Sequence, residues 1–482
     1  MLFPKTIEGL SGISVTIMGL GLHGGGLASA RFFARAGARV TVTDLRDEKV
    51  LAPSIKALEG CELRYVLGRH EIEDFSSADL VIKNPAVRGP SPFLAAARYV
   101  ETDISVFLRY SKSPLVAVTG SKGKSSTVSA IHHGFTASGV PSLLGGNITI
   151  SPLEFLDKTA ADRPVVLELS SWQLADMRGL GVLKPKAALI TAIMPDHMNY
   201  YSSMTEYVAD KRLIYADQDS RGASFFDADS SWGRSFASET KAELLYYSSR
   251  EPQRKGAWLE EKKSADSGAV SPGSGCLGPE GFCRIGSDPD SPAELILPAG
   301  LSVPGVHMRK NLLAAALVLR YMGISAEKTA AGMASFPGVE HRLEYFAQKG
   351  GVSWYNDSAA TIPQAVEAAL GSFAGPVVLI TGGTDKNLDF EPAKMAYAKA
   401  RAIVLLEGTG TGKLLPLLAE QGLSWKGPYN SLEAAVAAAG SLAQPGEAVL
   451  LSPGCASFGM FLHEFDRGKK FKDAVRAYLG LK

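Results

Sequence analysis

Short apolar runs alternate with longer amphipathic segments along most of this 482-residue chain. Near the N-terminus the pattern predicts a strand at 14–18, a helix at 27–38 and a second strand at 40–43. Apolar runs of four or five residues next to glycine-rich turns are typical of parallel strands that are buried on both faces. The first segment therefore predicts a βαβ unit, which continues through a strand at 79–83 and a helix at 101–110.

The same alternation continues in two further blocks. It predicts strands at 115–118, 165–168 and 187–191 with a helix at 124–138, and then strands at 377–381, 402–406 and 448–451. Strict alternation of strands and helices indicates parallel sheets covered by helices on both faces. The chain is also too long for one core, because domains typically hold ~100–200 residues. We expect three consecutive α/β domains with mostly parallel sheets: a Rossmann-like domain at 1–111, a P-loop-like central domain at 112–303 and a Rossmann-like domain at 304–482.

One segment, at about 250–292, interrupts this pattern. Its composition shifts to Ser, Gly, Lys, Asp and Pro, with short strand-like pieces around Trp258 and Phe282. Such a composition is typical of surface connections. We therefore expect a surface hairpin inserted into the central domain.

Composition and charge narrow the range of partners. Basic and acidic residues nearly balance, 50 against 49, so no global field would draw the chain to nucleic acid or to an anionic membrane. The four cysteines are scattered without a CxxC pair, which argues against zinc or a disulfide framework and favours a reducing compartment. The N-terminus lacks the apolar core of a signal peptide, and the longest apolar stretch, 312–322, is too short to span a bilayer. We expect a soluble, cytoplasmic protein.

A glycine-rich turn follows the first predicted strand. Gly19, Gly21 and Gly24 form a complete GxGxxG pattern, and Asp44 lies at the end of the next strand. Glycines allow the backbone to approach a diphosphate at the start of the following helix, and the acidic residue can accept hydrogen bonds from a ribose or a base. By itself this pattern is typical of an NAD-dependent oxidoreductase, and the alternative is a tight βα turn without a ligand.

A second loop of this kind, Gly120-Ser121-Lys122-Gly123-Lys124-Ser125-Ser126, follows the strand at 115–118. Backbone amides of such a loop cradle phosphates, the Lys124 ammonium reaches the β- and γ-phosphate oxygens, and the Ser125 hydroxyl can bind Mg²⁺. The loop departs from a strict Walker A motif because Val118 occupies the position of the first glycine. Two phosphate loops in separate domains favour an enzyme that brings a nucleotide-linked substrate to a second nucleotide.

Polar residues follow several of the predicted strands, at the sheet edge where ligands bind in α/β proteins. Glu168 ends a strand of the central domain, where a carboxylate is placed to bind Mg²⁺, and His197 is a candidate ligand of a second metal. The alternative for Glu168 is a solvated charge or a helix cap, and an isolated histidine is more often structural. The third domain offers candidates for binding a phosphoryl group, a ribose and a carboxylate, namely Arg342, Asp357, and Lys386 with Ser457.

Taken in order, these motifs resemble those of the Mur ligases. The resemblance spans nearly the whole chain, except for about 250–292, which has no counterpart. It depends on the two glycine loops and on Gly145-Gly146-Asn147-Ile148, Leu167-Glu168-Leu169-Ser170-Ser171-Trp172-Gln173-Leu174, Asp196-His197-Met198, Asp357-Ser358 and Leu451-Ser452-Pro453-Gly454-Cys455-Ala456-Ser457. It implies a monomeric, ATP-dependent ligase of peptidoglycan synthesis that adds D-glutamate to UDP-N-acetylmuramoyl-L-alanine through an acyl phosphate.

The resemblance also implies a role for each candidate residue. The N-terminal domain would bind UDP rather than NAD, and the UDP-linked precursor would contact Gly19, Gly21, Leu22, His23, Asp44 and Asn147. ATP would contact Gly120, Ser121, Gly123, Lys124, Ser125, Ser126, Asn311, Arg342 and Asp357. One Mg²⁺ would bind Ser125 and Glu168, and a second would bind His197 and a carbamylated Lys211. Thr361, Lys386 and Ser457 would hold the glutamate, and Lys124, His197 and Lys211 would be the catalytic residues.

Four positions depart from the family pattern. Ala359 stands where a lysine usually follows Asp-Ser, and Gly459, Met308 and His23 replace an Asp, an Asn and a small hydroxyl residue. Because Ala359 removes a positive charge from a pocket for anionic substrates, the identity of the added amino acid stays open. The alternatives are a sibling ligase that adds another amino acid or L-glutamate, a folylpolyglutamate synthase, an NAD-dependent oxidoreductase and a non-catalytic nucleotide-binding protein.

Overall fold

The computed structural model describes residues 3–22, 24–87, 89–148, 150–198, 200–261, 276–286, 288 and 291–481. His23, for which we expect a contact with the diphosphate, lies outside the described residues. The chain divides into two compact units. The first comprises Met1–Trp258, Cys283–Ala293 and Leu317–Ile324, and the second comprises Leu259–Phe282, Glu294–Ala316 and Ser325–Lys482.

The N-terminal part of the first unit is a parallel sheet with helices between its strands. Its strands are β1 (Ser14–Met18), β2 (Arg39–Asp44), β3 (Leu63–Leu67), β4 (Leu80–Lys83) and β5 (Val100–Glu101). Its helices are α1 (Gly25–Arg35), α2 (Glu48–Lys56), α3 (Ile72–Ser76), α4 (Pro92–Ala96) and α5 (Asp103–Tyr110). The strands pair in the order β3-β2-β1-β4-β5, all parallel. The predicted βαβ unit is therefore present.

A second parallel sheet forms the central part of this unit. Its strands are β6 (Leu115–Thr119), β7 (Leu143–Gly146), β8 (Val165–Glu168), β9 (Ala187–Ile190), β10 (Ala223–Asp227), β11 (Glu243–Ser248) and β12 (Gly256–Glu260). Its helices are α6 (Lys124–Ala137), α7 (Ser171–Asp176), α8 (Met204–Ala216) and α9 (Ser231–Ala237). The strands pair in the order β12-β11-β10-β9-β6-β8-β7. One hydrophobic core extends from Leu10 to Phe236, so the two sheets of this unit share a core.

Strand β12 differs from the surface hairpin that we predict for about 250–292. It pairs in parallel with β11, and Ala257 and Trp258 are buried. Gly256 permits this approach, because a Cβ there would lie 1.9 Å from the Tyr246 carbonyl oxygen. The strand-like piece predicted around Trp258 is therefore present, but it is a buried parallel strand of the sheet and not part of a surface hairpin.

The C-terminal half of the chain contains the remaining elements. Its strands are β13 (Cys276–Leu277), β14 (Glu280–Arg284), β15 (Glu294–Leu297), β16 (Gly300–Leu301), β17 (Glu344–Lys349), β18 (Val352–Asn356), β19 (Val377–Thr381), β20 (Ala402–Leu406), β21 (Trp425–Tyr429) and β22 (Ala448–Leu451). Its helices are α10 (Val306–Tyr321), α11 (Ala326–Ala334), α12 (Pro363–Leu370), α13 (Lys394–Tyr397), α14 (Thr409–Glu420), α15 (Leu432–Leu442) and α16 (Glu464–Leu479). Short 3-10 helices lie at Glu8–Leu10, Pro152–Lys158 and Glu391–Ala393.

The second unit is built on a six-stranded sheet in the order β17-β18-β22-β19-β20-β21. Strand β17 is antiparallel to β18, and the other neighbours are parallel. Two apolar clusters cover its faces, which explains why β19 and β22 consist of buried residues throughout. The predicted class of consecutive, mostly parallel α/β domains is confirmed. Among the described residues, no helix is both long and apolar enough to cross a membrane.

Candidate active site

The glycine turn of the N-terminal sheet joins β1 to α1. Gly19 and Gly21 have φ angles of 91° and 70°, a region that L side chains rarely adopt. A Cβ at Gly26 would lie 2.2 Å from the Gly19 carbonyl oxygen, so only glycine lets the first turn of α1 pack against the loop. This geometry brings backbone amides and a helix N-terminus together, as an anion site requires.

The Asp44 carboxylate supports that turn. It accepts hydrogen bonds from the Gly21 amide at 3.1 Å and from the Arg46 amide at 2.9 Å, and the Arg46 guanidinium adds two more at 3.1 Å. Burial opposes ionisation, but the hydrogen bonds from Arg46 and Gly21 outweigh it and lower the pKa of Asp44. Asp44 is therefore an anion that holds the turn, and its contact with the UDP-linked precursor stays a prediction.

The lysine loop joins β6 to α6. Gly123, with φ 92°, immediately precedes α6, whose first turn carries Lys124, Ser125 and Ser126. The Lys124 ammonium folds back on the loop and donates to the carbonyl oxygens of Gly120 at 3.0 Å and Ser121 at 3.1 Å. A cation beside the N-terminus of a 14-residue helix gives a strong site for phosphate oxygens.

Three of the predicted residues meet at Glu168, the last residue of β8. Its side chain is buried and accepts hydrogen bonds from Ser125 Oγ at 2.7 Å and from Asn147 Nδ2 at 2.9 Å. One carboxylate and one hydroxyl are oxygen donors of the kind that Mg²⁺ takes when phosphate oxygens and water complete its shell. Among the described residues, no group of three or more His, Cys, Asp or Glu side chains could hold a metal by itself.

Lys211 lies beneath the same loop. It is 1% exposed, donates to the Gly120 carbonyl oxygen at 2.9 Å, and its Nζ lies 4.5 Å from the centre of the Tyr207 ring. Burial lowers the pKa of Lys211 to about 7, and the nearby Lys124 contributes in the same direction. A buried amine of this kind is largely neutral at slightly alkaline pH, which is the form that could react with carbon dioxide.

His197 lies in a group of aromatic rings that the motif analysis missed. Its backbone has φ 57°, and its ring centroid is 4.6 Å from that of Trp172 and 6.4 Å from that of Tyr207. The Tyr207 hydroxyl donates to Ser121 Oγ at 3.1 Å. The one local sign of Tyr207 is its position four residues before Lys211, which places the two residues on the same helix face.

In the second unit, Asp357 follows β18 and is buried. It accepts hydrogen bonds from the Leu343 amide at 3.2 Å and from Ser452 Oγ at 2.8 Å. Burial raises the pKa of Asp357 to about 7. Arg342 is exposed on the loop before β17, between His341 and Leu343, which have φ angles of 64° and 45°. Asn311 lies half-buried in α10, and its contact with ATP stays a prediction.

The three residues predicted to hold glutamate lie on neighbouring loops of the second unit. Lys386 Nζ donates to Thr361 Oγ1 at 3.2 Å. The loop that carries Lys386 is tied to the loop of Ser457, because Thr384 and Ala456 exchange backbone hydrogen bonds of 3.1 and 3.0 Å. A flexible cation and two hydroxyls on adjoining loops can recognise a carboxylate.

Arg467 is a further residue of this site that the sequence did not reveal. It is 1% exposed on α16 and donates to Ser358 Oγ at 3.0 Å, the Ser358 carbonyl oxygen at 2.9 Å and the Cys455 carbonyl oxygen at 3.1 Å. It thereby joins the loops that follow β18 and β22. Nothing in the sequence separates Arg467 from the exposed charges around it on the same helix, because its partners are distant along the chain.

Two phosphate-type loops and an oxygen-rich site beside one of them define a nucleotide-dependent α/β enzyme. Three parts of the chain match domains of one family. Residues 13–106 match the "Mur ligase MurD-like, N-terminal domain", residues 118–319 the "Mur ligase middle domain" and residues 341–455 the "Mur ligase, glutamate ligase domain".

Relatives named UDP-N-acetylmuramoylalanine--D-glutamate ligase are similar over almost their whole length. The one from Treponema pallidum (strain Nichols) is 41% identical, with 97% of this chain and 98% of the relative covered. The one from Roseiflexus sp. (strain RS-1) is 37% identical, with 97% and 99% covered.

Solved structures give the same fold. UDP-N-acetylmuramate-alanine ligase MurC from Thermotoga maritima has a TM-score of 0.56 at 18% identity, with 97% of this chain and 100% of that chain covered. MurF ligase from Thermotoga maritima in complex with ADP has a TM-score of 0.54 at 14% identity, with 92% and 95% covered. The chain belongs to the Mur ligase family, and is therefore a ligase that forms carbon–nitrogen bonds with ATP.

Proposed function

We propose that this protein adds D-glutamate to UDP-N-acetylmuramoyl-L-alanine in the synthesis of the peptidoglycan precursor. The observation that carries the proposal is the full-length similarity to ligases of that name, together with the cluster of Lys124, Ser125, Asn147 and Glu168 at the lysine loop. The complete glycine turn before α1 supports a UDP-linked substrate. The lysine loop disfavours an oxidoreductase, which has no use for a second phosphate site.

The first chemical step is a phosphoryl transfer. An oxygen of the alanyl carboxylate attacks the γ-phosphorus of ATP, the bond between that phosphorus and the β–γ bridging oxygen breaks, and an acyl phosphate and ADP form. Both reactants are anions that repel each other, so catalysis depends on positive charge and on positioning. Lys124 and the amides at the start of α6 supply that charge to the transferring group.

Mg²⁺ fits the oxygen donors of Ser125 and Glu168. When bound there, the ion would neutralise charge on the phosphate oxygens. We assign His197 and Lys211 to a second ion, with Lys211 as its carbamate. Burial lowers the pKa of Lys211 to about 7, which suits that modification, because an uncharged amine is the nucleophile toward carbon dioxide, and the product is an anionic oxygen ligand.

The second step forms the amide. The unprotonated amine of D-glutamate attacks the acyl carbon, and the tetrahedral intermediate expels inorganic phosphate while the amine loses a proton. Lys386, Thr361 and Ser457 hold the carboxylates of the amino acid, and Arg342 and Asp357 contact ATP. We further propose that the enzyme works as a monomer in the cytoplasm.

Release of inorganic phosphate tests this function. We expect release only when ATP, UDP-N-acetylmuramoyl-L-alanine and D-glutamate are all present. Lys124→Ala should lower kcat by at least about 10²-fold, while Lys158→Ala, which alters an exposed lysine of the same unit, should leave it unchanged. Release with L-glutamate or another amino acid alone would instead indicate a sibling activity, and activity that survives Lys124→Ala would contradict the catalytic role of the loop.

A further inference from the structure

A partly buried ion pair joins the two sheets of the first unit. Lys83 Nζ lies 2.5 Å from Oδ1 and 2.7 Å from Oδ2 of Asp176, and the two side chains are 12% and 18% exposed. Lys83 ends β4 of the N-terminal sheet, and Asp176 ends α7 of the central part. The residues are 93 positions apart, so no local sequence pattern indicates the pair.

Lys83 is connected to the glycine turn through the next residue, Asn84. The backbone N–H of Asn84 donates to the Met18 carbonyl oxygen at 3.0 Å, and its side-chain Nδ2 donates to the Gly19 carbonyl oxygen at 3.1 Å. A Cβ at Gly19 would lie 3.1 Å from the Asn84 Cβ, so the two residues are in close contact. The position of Lys83 therefore fixes the position of the turn that we assign to the diphosphate.

The Asp176 end reaches the metal and phosphate site through α7. This helix begins three residues after Glu168 and is fixed at its start by reciprocal hydrogen bonds between Ser170 and Gln173. It also carries Trp172, whose ring packs on His197. A displacement of α7 would therefore move the surroundings of Glu168 and His197, two of the proposed metal ligands.

Partial burial makes the two charges of this pair depend on each other more than the charges of a surface pair do. Burial raises the pKa of Asp176 even though Lys83 acts in the opposite direction, so the carboxylate depends on Lys83 to stay charged, and removal of one partner leaves the other charge poorly solvated. Arg31 and Glu154 form another ion pair of this unit, at 3.1 Å, but their side chains are more exposed, at 24% and 39%. That pair connects α1 to the 3-10 helix at Pro152–Lys158 and offers a matched control.

We propose that Lys83 and Asp176 are positioning residues that align the alanyl carboxylate of the precursor with the γ-phosphate at Lys124. This inference rests on the proposed function, since the precursor is assigned to the glycine turn and ATP to the lysine loop. A misplacement of reacting groups by about 1 Å lowers the rate of a phosphoryl transfer by up to about 10²-fold. The lysine loop belongs to the central part alone and contains neither residue of the pair, so we expect its contacts with the ATP phosphates to remain when the pair is removed.

The test measures both kcat and the KM for ATP in Lys83→Met, in Asp176→Asn and in the double variant, and compares them with the wild type. We expect each single variant to lower kcat at least about tenfold, with the KM for ATP changed by less than about twofold. The double variant should lose no more than the worse single variant, because the two residues act as a unit. Lys83→Arg, which keeps the charge, should retain most of the activity, and Arg31→Gln should behave as the wild type.

Three outcomes would overturn the inference: unchanged kcat in the single variants, losses that multiply in the double variant, or losses that equal the fall in folded protein measured by thermal unfolding. Should a single variant fail to fold, the inference is tested by comparing the double variant with Lys83→Arg. Equal kcat values for these two would overturn the inference. If wild type and Arg31→Gln both lack phosphate release that depends on D-glutamate, the proposed function has failed. If both are active and the pair variants are equally active, only the positioning role has failed.

Discussion

The hydroxyl of Ser125 donates a hydrogen bond of 2.7 Å to Glu168 Oε2. Ser125 lies in the first turn of α6, and Glu168 is the last residue of β8, so the bond joins the lysine loop to the neighbouring strand. The same carboxylate also accepts from Asn147, which directly follows Gly146 at the end of β7. One buried carboxylate thereby connects the residues that we assign to magnesium with a residue assigned to the precursor.

Glu168→Gln should raise the concentration of Mg²⁺ that gives half-maximal activity by at least about tenfold, because a neutral amide is a weaker ligand of a hard cation. Glutamine can keep the hydrogen bond from Asn147 with its amide oxygen and donate from its amide nitrogen to Ser125 Oγ, so folding should be retained. The rate of phosphate release over a titration of Mg²⁺ measures the effect. Glu154→Gln changes an exposed carboxylate of the same unit and should leave the titration unchanged. An unshifted titration in Glu168→Gln would remove Glu168 from the metal site.

Gly120→Ala should disrupt the lysine loop. A Cβ at this position would lie 1.9 Å from Thr191 Oγ1, and that hydroxyl holds the loop through the carbonyl oxygens of Thr119 and Lys122. We expect the KM for ATP to rise at least about tenfold, since a rearranged loop loses part of its phosphate contacts.

Gly139→Ala is the matched control at the other end of α6. Gly139 also has a positive φ angle, of 82°, but a Cβ there would meet nothing within 4 Å. It should lower stability by about 1 kcal/mol, the cost of a left-handed conformation, and leave the KM for ATP unchanged. Equal effects of both substitutions on the KM would show that backbone strain alone, and not the contact with Thr191, is responsible.

Lys386→Met should weaken binding of D-glutamate. Its ammonium donates to Thr361 Oγ1 at 3.2 Å and is exposed, so a carboxylate can replace or share that contact. Loss of one charge-assisted hydrogen bond of 1.5–3 kcal/mol corresponds to a rise in the KM for D-glutamate of about 10- to 100-fold. Lys394→Met alters a lysine that pairs with Glu391 and should have no effect. A rise in the KM for ATP alone would place Lys386 elsewhere in the reaction.

Asp357 should make stability depend on pH in a defined direction. Burial raises its pKa in the folded protein to about 7, whereas an unfolded Asp titrates near ~4. Between these values the folded state binds more protons than the unfolded state, so the wild type loses stability as pH rises, by up to ~1.4 kcal/mol per pH unit. Relative to Asp357→Asn, the wild type should therefore be most stable below pH ~4 and reach a constant, lower level above pH ~7.

Urea unfolding of the two proteins across this pH range measures the difference. Asp466→Asn is a control of opposite sign, because a hydrogen bond from Lys470 lowers the pKa of Asp466. Its contribution to wild-type stability is present at neutral pH and is lost as pH falls. A difference between wild type and Asp357→Asn that does not vary with pH would mean that Asp357 ionises normally.

The parts of this protein that follow from local sequence were predictable. The strands at Val377–Thr381, Ala402–Leu406 and Ala448–Leu451 agree with their predicted bounds, because a continuous apolar run between helices has few other solutions. The two phosphate loops were also predictable, since their glycines are required by positive φ angles at fixed positions. The predicted helix at 101–110 begins two residues later, at Asp103, because Thr102 caps it and Val100–Glu101 pairs with β4.

Features that depend on long-range contacts were not predictable. Arg467 and the pair of Lys83 with Asp176 look like ordinary surface charges in the sequence, and only their distant partners reveal their burial. The strand-like piece around Trp258 was predicted, but its place as the buried parallel strand β12 was not, because three apolar residues in a polar segment carry too little periodicity to indicate burial. Its burial is decided by the open edge of β11, which the local sequence does not describe.

Transfer of an isotopic oxygen label tests the acyl phosphate, on which the assignment of both substrates depends. UDP-N-acetylmuramoyl-L-alanine would be labelled with ¹⁸O at both oxygens of the alanyl carboxylate and converted with ATP and D-glutamate. We expect each released phosphate to contain one ¹⁸O atom, because the carboxylate oxygen that attacks the γ-phosphorus leaves with it when the amide forms. Product formation with unlabelled phosphate would show that the carboxylate is never phosphorylated, and would contradict the mechanism.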